Sequence, residues 1–165
     1  MKKIGFILSF LILLTGCTTD PADDVRYQTY KTNYQNILNT TSFQDRSAYY
    51  DITASLTDVG AAGVRFDVFL DQPRIAMYDV EMLAIVDNGL LTISSDMMPS
   101  VGIFEDVEYN LIPYQINGDK GFPKGFNLNG LTSGNTVILK VQVTWKDYFK
   151  IRSYKENFKF ELTLS

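Results

Sequence analysis

The chain has 165 residues, of which 45% are apolar and 13% aromatic, and its formal net charge at pH 7 is −4. This composition is typical of one folded domain with a hydrophobic core and excludes a wholly disordered chain. The sequence has no histidine and one cysteine, which excludes a Ser-His-Asp triad, a Cys-His pair, a His- or Cys-ligated zinc site and an intrachain disulfide. The acidic balance also argues against nucleic-acid binding, because phosphate contacts depend on Lys and Arg.

The first seventeen residues have the organisation of a secretory signal. Lys2 and Lys3 precede an apolar run from Ile4 to Leu14, and two small residues follow before Cys17. As a helix this run would span roughly 16 Å, well short of the ~30 Å hydrocarbon core of a bilayer. The segment therefore favours a cleaved signal peptide, residues 1–16, over a transmembrane anchor.

The end of this segment, Leu14-Thr15-Gly16-Cys17, resembles the lipobox of bacterial lipoproteins. The resemblance implies cleavage before Cys17, attachment of diacylglycerol to the Cys17 thiol, and Cys17 as the mature N-terminus. Loss of Lys2 and Lys3 would leave 13 basic and 19 acidic side chains, a net charge of −6. An ordinary signal peptide whose cysteine is incidental is the alternative.

A lipidated Cys17 defines the expected location. Two or more acyl chains anchor a protein stably where one chain is marginal. We expect a membrane-anchored, extracytoplasmic lipoprotein, on the outer face of the cytoplasmic membrane, or periplasmic or on the outer membrane in a Gram-negative cell. Thr18 follows Cys17, so nothing resembles the aspartate signal for inner-membrane retention.

Residues 17–42 are predicted to comprise the lipidated cysteine, a short tether and a helix. Asp20 suits the N-cap and Pro21 the first helical position of a helix that extends to Asn39. Apolar side chains recur at intervals of three and four, which defines one helical face: Tyr27, Tyr30, Tyr34, Ile37 and Leu38. We expect this face to pack on the domain behind it; a partner-binding face is the alternative.

Residues 43–165 show the alternation of β-strands. The predicted strands lie at Tyr50–Leu56, Val64–Leu70, Val80–Val86, Leu90–Ser95, Tyr109–Ile116, Phe126–Leu128, Val137–Trp145 and Phe158–Leu164. Asn88-Gly89 predicts a hairpin turn between the third and fourth of them, and Pro113 assigns the fifth to an edge. The fold class is mainly β: an immunoglobulin-like β-sandwich of about seven or eight strands, preceded by one N-terminal α-helix and lacking the antibody cysteine pair.

The glycine-rich stretch from Gly118 to Gly125 contains Lys120 and Lys124. It is not a P-loop, because no Lys-Ser or Lys-Thr pair and no helix follow. Lysines beside exposed backbone amides could still contact an anion. A plain loop between strands is the alternative.

An acidic cluster of Glu105, Asp106 and Glu108 follows Asp96. Carboxylates on sandwich loops can bind Ca²⁺, but this spacing matches no calcium loop. We predict no metal site and no cofactor. A glycosidase would need two carboxylates about 5–10 Å apart across a cleft, which sequence does not reveal.

The segment from Met97 to Phe104 is unusually apolar for a loop, and Pro99 and Gly102 disfavour a regular strand. Methionine-rich irregular segments can form adaptable binding surfaces. The possible partner contacts are Met97, Met98, Ile103 and Phe104. A loop folded over one end of the sandwich is the alternative.

Basic residues are concentrated in the final hairpin of this acidic chain: Lys140, Lys146, Lys150, Arg152, Lys155 and Lys159. Such a face could meet anionic lipid headgroups or wall polymers. Asp147, Glu156 and Glu161 lie on the same hairpin, however, and Lys on exposed strands also suppresses aggregation. The expectation is therefore a solvated face.

The sequence as a whole favours a non-catalytic binding or assembly module of the bacterial cell envelope. Its expected partners are the membrane, through the acyl chains on Cys17, and an envelope protein or glycan; nucleic acid is not expected. No catalytic residue is predicted. A carboxylate-based hydrolase of envelope glycans and a purely structural envelope protein remain the alternatives.

Overall fold

A computed structural model of the chain describes residues 24–164, so the predicted signal peptide and Cys17 lie outside the described residues. These residues form one α-helix and seven β-strands. The helix is α1 (Val25–Asn39). The strands are β1 (Asp51–Asp58), β2 (Val64–Asp71), β3 (Tyr78–Val86), β4 (Ser100–Val101), β5 (Phe126–Thr132), β6 (Thr136–Lys146) and β7 (Ser153–Thr163).

Helix α1 begins at Val25. Asp24 is its N-cap, with extended backbone angles and a side-chain oxygen that accepts the Arg26 backbone N–H at 2.8 Å. This is the usual way to satisfy a free amide of the first turn. The cap predicted at Asp20 and Pro21 lies outside the described residues.

The strands form two antiparallel sheets, which confirms the mainly-β prediction. One sheet has the order β1-β2-β5 and the other β4-β3-β6-β7. The longest pairing joins β6 and β7, from Lys146 opposite Ser153 to Thr136 opposite Thr163. The alternation seen in the sequence therefore puts Val137, Leu139, Val141, Val143 and Trp145 on one face of β6, where all five are buried.

A single apolar core joins the two sheets. Phe66, Val68 and Leu70 of β2 belong to the same buried cluster as Met82 and Ala84 of β3. The inward side chains of β6, with Phe158 of β7 and Leu128 of β5, complete it. Burial of each large apolar side chain contributes about 1.5–3 kcal/mol to folding.

A second apolar layer lies on the outer face of the four-stranded sheet. Here α1 buries Tyr30, Tyr34, Ile37 and Leu38 against Leu83, Ile85 and Ile103. Strand β3 is consequently buried on both faces, which explains its nearly continuous apolar sequence. The tyrosine face predicted from the three-and-four spacing thus packs on the domain.

Two predicted strands are wrong. Leu90–Ser95 forms no strand, although Gly89 has the positive φ (78°) expected of a turn. The chain instead passes over α1, where the Ser94 amide donates to the Tyr34 hydroxyl at 3.2 Å. Packing on the helix replaces the predicted hairpin.

Tyr109–Ile116 is the second incorrect strand. It makes only isolated bridges, Met77 with Leu111 and Ile112 with Gln115. Pro113 has no N–H to donate, so it interrupts a ladder at this point. The glycine-rich connection, by contrast, leads into a full strand, β5, of seven residues.

Gly102 is required where the chain leaves β4. Its φ is +79°, and a Cβ there would lie 2.2 Å from the Val80 carbonyl oxygen. Gly89 has nearly the same φ, +78°, but open space around it. We expect Gly89→Ala to cost about 1–2 kcal/mol of backbone strain, and Gly102→Ala to cost about a further 1–3 kcal/mol for the steric overlap. Urea unfolding of both variants measures these costs. Equal losses of unfolding free energy in the two variants would contradict the expected difference.

Three connecting segments share one end of the molecule, which we call the hairpin end: residues 72–77, 110–125 and 147–152. They meet because Tyr78 of β3 pairs with Lys146 of β6, while Phe126 of β5 pairs with Leu70 of β2. Tyr50, just before β1, contacts Trp145 at the end of β6 with ring centroids 5.8 Å apart. Across residues 24–164, no helix combines the length and apolarity that crossing a membrane requires.

Candidate functional site

A cleft lies at the open edge between β1 and β7, beside the segment that leads from α1 into β1. Its volume is about 730 Å³, within the range of small-ligand sites. Two backbone hydrogen bonds hold this segment in place: Gln44 N–H to the Asn157 carbonyl (2.8 Å) and Arg74 N–H to the Tyr49 carbonyl (2.7 Å). The cleft is lined by Gln44, Arg46, Ser47, Ala48, Tyr49, Tyr50, Asp51, Ile52, Thr53, Arg74 and Glu156.

Aromatic rings make this region rigid. The buried Trp145 ring meets Tyr49 and Tyr50 edge-on, at centroid distances of 5.7 and 5.8 Å. Tyr154 stacks on the same indole at 5.4 Å, with an interplanar angle of 14°. Edge-on and offset-stacked pairs are the favourable geometries, so the side chains beside the cleft are well fixed.

Glu156 is the unusual residue of the cleft. It occupies an inward position of β7, only 7% exposed, between the inward residues Tyr154 and Phe158. Its Oε2 atom has no hydrogen-bond partner in residues 24–164, and neither has the buried Tyr50 hydroxyl. A buried acceptor without a partner costs about 1–3 kcal/mol, and more when charged. Such a group calls for a specific explanation, such as a bound water, ion or ligand.

The buried environment of Glu156 also affects the pKa of the Tyr50 phenol. Burial raises its pKa, and the neighbouring Glu156 carboxylate raises the pKa further, while Ser47 opposes the shift. Tyr50 therefore stays protonated and can act only as a neutral hydroxyl. The carboxylate lies close to this hydroxyl.

Two guanidinium groups line the mouth of the cleft. Arg74 forms an ion pair with Asp51. Arg46 is exposed and has no hydrogen bond or ion pair within residues 24–164. The cleft thus presents a fixed ion pair, a free cation, hydroxyl groups and a buried carboxylate.

The structure places three of the four predicted partner-contact residues against α1. The Met98 amide donates to the Tyr30 hydroxyl at 2.8 Å, and the Phe104 ring lies 5.6 Å from the Tyr30 ring. Ile103 is buried in the same cluster, whereas Met97 is exposed. Three of the four side chains are therefore engaged in holding the helix.

The two predicted anion-contact residues lie at the hairpin end. Lys120 closes a short 3-10 turn, Gly118–Lys120, and Lys124 lies beside Pro123 and Tyr114 in a small pocket. Both side chains are exposed, and neither has an ion-pair or hydrogen-bond partner in the described range. They remain available to an anion.

The carboxylates of the acidic cluster each have an intramolecular role. Glu105 accepts the Gly102 and Phe104 amides, at 2.9 and 3.2 Å. Asp106 pairs with Arg26 at 3.0 Å, and Glu108 pairs with Lys150 at 2.6 Å. Within residues 24–164, no group of three or more acidic or cysteine side chains could hold a metal ion.

Ion pairs engage most of the basic residues of the final hairpin. Lys140 pairs with Asp87, Lys146 and Lys150 with Asp79, and Lys159 with Glu161. The two lysines lower the pKa of Asp79 despite its burial. In residues 24–164, the side chains of Arg152 and Lys155 have no such partner.

Comparisons of the chain with protein-family models, with curated proteins and with solved structures find no match. Its function must therefore be argued from its own residues.

The cleft was not predicted from the sequence, although the sequence does contain one signal of it. Glu156 is a charged residue at an inward position of a strand whose following inward positions are Phe158, Phe160 and Leu162. A carboxylate at an inward position of a strand is expected only where it has a partner or a function. Arg46 and Arg74 carry no comparable signal, because exposed arginines in loops are commonplace.

Proposed function

We propose that the protein is a lipid-anchored lipoprotein of the bacterial cell envelope, and that its extracytoplasmic domain is a non-catalytic binding module. The lipobox resemblance at Cys17 supports the anchor. The observation that carries the binding role is the cleft between β1 and β7, with its rigid aromatic surroundings and its unpaired buried carboxylate.

We further propose that the domain is immunoglobulin-like. The sheet orders β1-β2-β5 and β4-β3-β6-β7 correspond to A-B-E and C′-C-F-G in the strand nomenclature of that fold, and this correspondence supports the proposal. The domain departs from antibody domains in its single cysteine and in its tryptophan, which lies on β6 rather than on the third strand.

The chemistry of the cleft favours a glycan as ligand. A sugar ring offers hydroxyl groups that donate to carboxylates and accept from guanidinium groups. Its apolar face suits an aromatic side chain, and Tyr49 is 37% exposed at the cleft. Glu156, Arg46 and Tyr49 supply these three kinds of contact, and charge-assisted hydrogen bonds are the stronger kind.

Binding of soluble envelope-glycan fragments to the purified full-length protein tests this role. We expect Arg46→Ala to weaken binding about tenfold or more, the loss of one hydrogen bond to a charged group. Glu156→Gln, which keeps the shape and removes the charge, should also weaken binding. Lys120→Ala, which removes an unpaired exposed cation that does not line the cleft, is the matched control. Wild-type protein that binds no glycan, or equal losses in Arg46→Ala and Lys120→Ala, would contradict the proposal.

A carboxylate hydrolase of envelope glycans is the second candidate. One observation favours it: Asp51 and Glu156 line the same cleft. Against it, Arg74 holds Asp51 in an ion pair. Release of soluble sugars from purified envelope glycan by the wild type, abolished in both Asp51→Asn and Glu156→Gln, would replace the binding module with an enzyme.

A further inference from the structure

The hairpin end exposes an unusual amount of apolar surface. Its three segments comprise 28 of the 141 described residues but carry six of the fifteen exposed large apolar side chains. These six are Ile75, Tyr114, Ile116, Tyr148, Phe149 and Ile151. Phe149 and Ile151, at the tip of the β6–β7 hairpin, are 74% and 81% exposed. Apolar side chains concentrated in this way mark an interaction surface.

The tip of this hairpin is held rigidly in its exposed conformation. Asp147 accepts the amides of Ile151 and Arg152 through its Oδ1 atom, at 3.0 and 3.3 Å. Lys150 turns back to bind Asp79 and Glu108, both at 2.6 Å. The apolar side chains are therefore presented by a preformed turn, which lowers the entropic cost of binding.

The charge of the hairpin end is opposite to that of the chain. Its three segments contain five basic and two acidic residues, whereas the whole chain has a net charge of −4. The basic residues are Arg74, Lys120, Lys124, Lys150 and Arg152, and the acidic ones are Asp119 and Asp147. Arg74 and Lys150 are held in ion pairs, so the cations available beside the apolar tips are Lys120, Lys124 and Arg152. Aromatic rings and basic side chains are favoured at the interface of an anionic bilayer.

The start of the described chain lies on the same half of the molecule. In the first turn of α1, Arg26 binds the Phe104 carbonyl at 2.9 Å and Asp106 at 3.0 Å. Glu108, two residues further on, binds Lys150 of the hairpin tip. Cys17 precedes Asp24 by seven residues, a reach of about 25 Å when fully extended. A membrane that holds Cys17 is thus within reach of the hairpin end.

We propose that the hairpin end contacts the bilayer, with Phe149, Ile151 and Tyr114 inserted at its interface and Arg152 and Lys124 against anionic headgroups. This inference rests on the proposed lipid anchor. It orients the domain, because the anchor and the hairpin end fix two points on the membrane surface. An envelope protein that covers the same surface is the competing occupant.

A fluorophore at the hairpin tip tests the proposal in the complete lipidated protein. Cys17 is the sole cysteine, so after its acylation Phe149→Cys provides a single free thiol for a polarity-sensitive label. Leu131→Cys is the matched control, since Leu131 is 62% exposed near the opposite end of β5. Both labelled proteins are reconstituted into vesicles of phosphatidylglycerol and phosphatidylethanolamine, with and without nitroxide-labelled lipid.

We expect the label at position 149 to shift to shorter emission wavelength on reconstitution and to be quenched by nitroxide lipid, and the label at 131 to do neither. Equal behaviour at the two positions would overturn the membrane contact while leaving the lipid anchor intact. A shift at 149 that occurs only on addition of envelope protein would overturn it in favour of a protein partner. A mass spectrum showing unmodified Cys17 would overturn both the anchor and this inference.

Discussion

Replacing Cys17 with serine is expected to abolish acylation and to remove the protein from the membrane fraction, or to block its processing. The physical reason is that the hydroxyl cannot replace the thiol as the site of lipid attachment. Each buried CH₂ of an acyl chain contributes about 0.8 kcal/mol, and a single myristoyl chain alone gives an association constant of only about 10⁴ M⁻¹. Loss of all the acyl chains should therefore remove nearly all of the membrane binding. Incorporation of labelled fatty acid, electrophoretic mobility and membrane fractionation measure it.

Thr18→Ser is the appropriate control, because it changes the neighbouring residue and leaves the thiol in place. It should be labelled, processed and fractionated as the wild type is. An uncleaved Cys17→Ser precursor would retain the apolar run from Ile4 to Leu14 and can be recognised by its greater mass. A Cys17→Ser protein that stayed membrane-bound and normally processed would contradict the lipoprotein proposal.

The elements that the sequence predicted well are those in which local pattern and tertiary environment agree. The inward residues of β6 alternate with polar ones over an eleven-residue strand, and Phe158, Phe160 and Leu162 continue the pattern in the second half of β7, so the period-two pattern is clear in both. The tyrosine face of α1 is similarly defined by its spacing. In both cases one face of the element meets a core, which is the condition under which periodicity is informative.

Prediction failed where tertiary contacts override a local signal. Asn88-Gly89 is a strong hairpin signal, and Gly89 does adopt the positive φ. The residues that follow nevertheless pack on α1, since Tyr30 and Tyr34 offer hydroxyl groups to the Met98 and Ser94 amides. Nothing local to Leu90–Ser95 records that a helix some sixty residues earlier will supply those acceptors.

The candidate cleft was beyond sequence reasoning for a related reason. Its lining comes from residues 44–53, Arg74 and Glu156, which are brought together only where β1 and β7, strands of different sheets, meet at the edge of the sandwich. The inward position of Glu156 could have been noticed from the alternation of β7. Its proximity to Tyr50 could not, because the alternation within each strand does not show which residues at the start of β1 and in β7 meet at the edge of the sandwich.

Replacing Trp145 with alanine is expected to cost about 3–5 kcal/mol of unfolding free energy, as truncation of a large buried aromatic residue does. Trp145 is 2% exposed, and three tyrosine rings pack on its indole. Domains of this size are generally stable by about 5–15 kcal/mol, so the loss would be a large fraction of the total. Urea unfolding followed by circular dichroism measures it. Tyr114→Ala, at a fully exposed residue, is the control and should change the free energy by less than about 0.5 kcal/mol.

Replacing Trp145 also tests whether the cleft binds the glycan. Tyr49 and Tyr50 line the cleft and rest edge-on against Trp145, so removing the indole removes the support that fixes them. Trp145→Phe retains an aromatic ring and should keep glycan binding near the wild-type level, with a smaller loss of stability than the alanine variant. Trp145→Ala should lose glycan binding at temperatures where circular dichroism shows it still folded. If a folded Trp145→Ala protein bound glycan as tightly as the wild type, the ligand would lie elsewhere and the cleft would be a structural feature of the sheet edge.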